Sequence, residues 1–148
     1  MALCDYFSAP DDRAAAAVAG RSGGPAVCGL DAVPLTGVDP VVAVARLEAI
    51  LTGCSYEEAT RRPRAGRLLS SPQGDTPIVL SLSDTLLDAL VQAEPSDLAR
   101  AAGPWSRTAE LAQARVDART ALIVLESLAA LTRRAKADGR RVYCWWSL

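Results

Sequence analysis

Residues 117 to 137 carry the longest helical period in this chain, and their one-sided apolar stripe constrains everything that can be built around them. Ala121, Val124, Leu125, Leu128, Leu131 and Ala135 recur at three- and four-residue spacing, so they share one face. Arg133, Arg134 and Lys136 suit the negative C-terminal end of such a helix, and Gly139 stops it. A helix with one apolar stripe is stable only when a second layer covers that stripe. Residues 142 to 148, which follow at once, are rich in β-formers and predict a terminal strand.

The other elements announce themselves by their ends. Residues 2 to 7 read as a strand, and Ser8-Ala9-Pro10 then reads as a helix start, with Asp11 and Asp12 in the first turn and Gly20 as the stop. Gly23-Gly24-Pro25 reads as a loop, and residues 26 to 35 as a broken extended segment holding one short peripheral strand. Asp39 as N-cap and Pro40 at the first position open a helix that runs to Thr52 and closes at Gly53, with Val41, Val44, Leu47 and Leu51 on one face. Ser55-Tyr56-Glu57-Glu58 has capping-box spacing and opens a short helix that Pro63 ends.

Leu68 and Leu69 suggest a brief strand before the turn-rich Ser71-Pro72-Gln73-Gly74-Asp75. Residues 78 to 82 form the next strand. Ser83 caps a helix with Leu82 and Leu87 as its hydrophobic staple and Leu86, Leu87, Leu90 and Val91 as its buried stripe. Glu94-Pro95 opens a further helix expected to end near Gly103, ahead of a connection at Pro104-Trp105-Ser106. A chain of 148 residues buries roughly 68 to 70% of its unfolded surface, enough for a core without disulfides or a structural metal. The expected architecture is one α+β domain over residues 1 to 148, with a small mixed sheet, N- and C-terminal strands near each other, and several flanking helices.

Composition removes several classes of function. Sixteen basic residues face 17 acidic ones, so no broad basic field gathers a phosphate backbone, and nucleic acid is not an expected partner. There is no histidine, which rules out Ser-His and Cys-His nucleophile pairs and His-ligated metals within the chain. Cys4, Cys28, Cys54 and Cys144 stand singly, without a CxxC pair, so no metal site and no cofactor are expected. Cys4 and Cys144 fall in strands expected to be central and neighbouring, which makes them buried, unbridged thiols. The start MALCDYFSAP lacks the features of a signal peptide, and no apolar run approaches the roughly 20 residues of a membrane helix, so a cytoplasmic location is expected. Fifteen Arg against one Lys, with 28 Ala, resemble the codon bias of a high-GC, actinobacterial-type genome.

Two residue types remain as candidates for recognition. Arg61, Arg62, Arg64 and Arg67 form the densest charge cluster, and guanidinium forks there could grip a phosphate, a carboxylate or an acidic partner. Exposed charges contribute little to folding, so replacing Arg62, Arg64 and Arg67 by glutamine is expected to leave stability nearly unchanged. Trp145 and Trp146 point to opposite faces if they lie in a strand, which leaves Trp146 as a recognition candidate unless a helix covers the second face. Trp105 could line a pocket or pin its segment to the core. The acidic pairs Asp11/Asp12 and Glu57/Glu58 sit in first turns, where capping and dipole effects explain them.

The order of pieces, with Ser8-Ala9-Pro10-Asp11-Asp12 after the first strand and Gly37-Val38-Asp39-Pro40 entering a helix that ends Ile50-Leu51-Thr52-Gly53, resembles the YfbM-like family of small bacterial α+β domains. The strand-to-helix transition over residues 78 to 90, the long helix containing Leu125 and Leu128, and the closing strand keep that order. Where that family carries Lys-Ala-Trp, this chain has Pro40-Val41-Val42, and only Gly103-Pro104-Trp105 resembles its later Trp-containing segment. The resemblance implies a fold and no activity. The functional expectation is a non-catalytic binding or regulatory protein, of immunity-like type, that meets a protein partner through Arg62, Arg64, Arg67, Trp105 and Trp146. The alternative is a small histidine-free enzyme using carboxylate, Arg or Cys side chains in a pocket.

Overall fold

In the computed structural model, which describes residues 2–71 and 77–148, the chain's last strand, β4 (Arg141–Ser147), lies inside a four-stranded sheet. β1 (Leu3–Ala9) pairs with it along its whole length, from Leu3 opposite Ser147 to Ala9 opposite Arg141. β3 (Ile78–Ser81) lies on its other side, and β2 (Ala32–Pro34) flanks β1, giving the order β2-β1-β4-β3. The expected meeting of the terminal strands is therefore present. The sheet is not mixed, however: all three pairings are antiparallel. The helices between β3 and β4 return the chain to the end of the sheet it left, with Ser81 opposite Tyr143, so β4 must run against β3.

Among the described residues, eight helices accompany the sheet: α1 (Asp12–Ala17), α2 (Gly24–Val27), α3 (Pro40–Thr52), α4 (Tyr56–Arg61), α5 (Asp84–Gln92), α6 (Pro95–Ser106), α7 (Ala109–Gln113) and α8 (Ala118–Ala137), with a 3-10 turn over Val18–Gly20. The period of two along each strand divides the core. Cys4, Tyr6, Leu80, Val142 and Cys144 pack with Leu47, Leu86, Leu98, Leu125 and Leu128 of α3, α5, α6 and α8. Phe7, Val79, Tyr143 and Trp145 pack on the opposite face against Ala15, Val18 and Ala19. Trp145 and Trp146 thus point to opposite faces, and both faces are covered. Gly24 lies against the Trp145 ring, where a Cβ would come within 3.2 Å of ring carbons.

The cap signals locate the helices well. Asp39 accepts from Val41 N at 2.9 Å and opens α3, and Gly53, at φ 71°, closes it. Ser55, Ser83 and Asp117 each accept from the backbone N–H three residues on. The first boundary differs: Ser8 and Ala9, expected to start a helix, extend β1 by pairing with Val142 and Arg141, and Asp11 becomes the cap. Gly24 and Pro25 open the short α2 instead of a loop. α6 also runs past Gly103 and through Pro104 to Ser106. It does so because Trp105 is fully buried and its Nε1 donates to Ala43 O at 3.0 Å, an anchor that offsets the N–H lost at proline. Of the Ser71-Pro72-Gln73-Gly74-Asp75 turn, all but Ser71 lies outside the described residues. Among the described residues, no helix is long and apolar enough to cross a membrane.

Candidate functional site

A buried polar cluster forms around the carboxylate of Glu48, only 2% exposed. Glu48 stands one turn beyond Val44 and next to Leu47 on α3, and the burial of that stripe carries it inward. It accepts hydrogen bonds from Ser83 Oγ, from Thr85 Oγ1 at 2.6 Å and from Arg62 Nη1 at 2.6 Å. Ser83 is at the same time the N-cap of α5, accepting from Leu86 N at 3.2 Å. The buried charge is therefore met by one guanidinium and two hydroxyls, as a charge in low dielectric requires.

Two residues on, the backbone turns through Arg64 at φ 69°. That turn sends its guanidinium to Asp12, held at two points (Nη1 to Oδ2 3.0 Å, Nη2 to Oδ1 2.7 Å). Tyr143 Oη donates to Asp12 Oδ1 at 2.8 Å, and Arg64 O accepts from Ser81 Oγ at 2.6 Å. The Arg64 hydrogen bonds, joined by that from Tyr143, draw the Asp12 carboxyl down to about 2. Burial and the Asp12 carboxylate push the Tyr143 phenol up to about 12. Asp84 Oδ1 lies 3.1 Å from Arg141 Nε and 4.0 Å from Arg64 Nε. Beyond these clasps the segment becomes an edge for the sheet, with Gly66 N donating to Ser81 O, Ser81 N to Arg67 O and Leu69 N to Val79 O.

The Asp12 clasp makes stability depend on pH in one direction. Its folded pKa of about 2 lies below the ordinary 3.8, so its contribution is complete above about pH 4 and lost as pH falls through 2. Because the Asp12 side chain is 42% exposed, screening limits the contribution to about 1 kcal/mol. Asp12→Asn should therefore unfold at a lower temperature than wild type at pH 7, and the two melting curves should converge near pH 2.

A cavity of about 50 Å³ lies against this cluster, walled by Val44, Leu80, Ser83, Glu48 and Cys144 and by the solvent-exposed Val41 and Thr60. It has room for a few waters and is well short of the roughly 300 Å³ at which metabolite pockets begin. The arginines of the recognition cluster divide: Arg62 and Arg64 are clasped by Glu48 and Asp12, while Arg61 and Arg67 are exposed. Trp105 lies apart from them, pinned in the core. Trp146 is half-buried beside Ile78, its partner across β3. Leu68 bridges Leu80 in the next row of that face and is 44% exposed.

Glu48, Ser83, Thr85 and Asp12 were not singled out by the sequence pattern as a site. A carboxylate on the buried stripe of α3 is the one local signal for Glu48, and its partners lie 14, 35 and 37 residues away. No protein-family model matches the chain, and no curated protein and no solved structure matches it.

Proposed function

We propose that this chain is a non-catalytic binding or regulatory module that meets a protein partner at the end of the sheet carrying Arg67, Leu68, Ile78 and Trp146. The supporting observation is a group of apolar side chains at one end of the helix-covered sheet face: exposed Leu68 and the half-buried Ile78 and Trp146, with exposed Arg67 just before Leu68 in the chain. Trp and Arg are among the residue types in which interface hot spots are enriched. The resemblance to YfbM-like domains enters this reading through the order of elements and carries no activity. The alternative, a histidine-free enzyme, would use carboxylate, Arg or Cys side chains in a pocket. At the cavity beside Glu48 the carboxylate is held by three donors and the space is about 50 Å³, which favours binding over catalysis there.

The test uses immobilised wild-type chain and an Arg67→Glu/Leu68→Asp variant, both first shown to unfold cooperatively, in parallel capture from a lysate of the cells that make the protein. One protein should be retained in stoichiometric amount by wild type and roughly tenfold less by the variant. Equal retention by both, or retention by neither, overturns the reading.

A further inference from the structure

We propose that Cys4 and Cys144 form a peroxide-oxidisable dithiol that closes into a disulfide between the first and last strands. Nothing in this rests on the binding reading. Cys4 pairs with Trp146 and Tyr6 with Cys144, so the two cysteines sit diagonally on one face of the central strand pair. Their Sγ atoms are 3.1 Å apart, and both residues are 1% exposed. Reaching the ~2.05 Å of a disulfide requires about an ångström of approach. Of the two, Cys144 is the one that lines the cavity, whose wall also includes exposed Val41 and Thr60 and so communicates with water. Hydrogen peroxide is little larger than water and fits a space of about 50 Å³, whereas alkylating reagents and glutathione-sized disulfides do not.

The chemistry then has a fixed order. The Cys144 thiolate attacks one peroxide oxygen, the O–O bond breaks, and hydroxide leaves and takes up the thiol proton as water, giving a sulfenic acid. The Cys4 sulfur attacks the sulfenic sulfur, the S–O bond breaks, and a second water leaves with the Cys4 proton. Two thiols lose two electrons and two protons, and one peroxide becomes two waters. Burial holds the Cys144 thiol well above its ordinary pKa, so little thiolate is present and the reaction is slow. The pair acts as a lasting staple formed under sustained peroxide, not as a rapid sensor. Because the bond joins residues 140 apart, it removes a large share of the unfolded chain's freedom.

The experiment uses the full chain carrying Cys28→Ser and Cys54→Ser, which removes the two half-buried thiols. Incubation with hydrogen peroxide should lower the intact mass by two hydrogens and give a non-reduced peptide pair containing Cys4 and Cys144. The unfolding midpoint should rise by roughly 10 °C, reversed by dithiothreitol. Adding Cys4→Ala should stop the reaction one step earlier, with a gain of one oxygen on Cys144. Intact thiols after prolonged exposure, sulfinic or sulfonic acid without a cross-link, or oxidation of Cys4 in preference to Cys144 overturns the proposal.

Discussion

A chain truncated after Gly139 should lose cooperative folding. β4 is hydrogen-bonded on both sides, to β1 over its whole length and to β3, so its removal exposes two strand edges at once. Val142, Tyr143, Cys144 and Trp145 go with it, all buried and shared between the two halves of the core. Loss of a buried aromatic side chain alone costs about 3 to 5 kcal/mol, against roughly 5 to 15 kcal/mol for the whole stability of a domain. Soluble yield and thermal unfolding by circular dichroism check this. A truncated chain that is soluble and melts cooperatively at the wild-type temperature would make β4 an appendage.

The second large effect is expected at Arg62, where glutamine should lower the unfolding temperature by roughly 5 to 10 °C. An exposed arginine seldom matters this much. Arg62 differs because its partner does: Glu48 is 2% exposed, and without the guanidinium its charge is left to two neutral hydroxyls. Replacing both partners removes the buried charge together with its counterion. Arg62→Gln combined with Glu48→Gln should therefore cost less than the two single changes added together, measured by urea unfolding. Strict additivity would show that the pair is not coupled.

How far the sequence reaches can be seen at particular residues. Caps are local, so Asp39, Ser55, Ser83, Asp117 and the stops at Gly53 and Gly139 are legible without the fold. The closing strand follows from β-propensity, and the opposed faces of Trp145 and Trp146 from its period of two. What fails is set by contacts distant in sequence. Ser8 and Ala9 join the sheet because Val142 and Arg141 stand opposite them, and α6 passes Pro104 because Trp105 reaches Ala43. The arginines show the same limit: four charges beside Pro63 read as a solvated or partner-facing patch, because Glu48 and Asp12, 14 and 52 residues away, cannot be seen as their partners. The expectation that replacing Arg62, Arg64 and Arg67 leaves stability nearly unchanged gives way to a division between two clasped residues and one exposed one.

That division is the centre of the account, and thermal unfolding of Arg62→Gln, Arg64→Gln and Arg67→Gln in one neutral buffer tests it most directly. The account predicts lowered midpoints for Arg62→Gln and Arg64→Gln, the first larger because Glu48 is buried and Asp12 is 42% exposed, and a wild-type midpoint for Arg67→Gln. Three midpoints that all coincide with wild type would contradict it and return Arg62 and Arg64 to the partner-facing surface.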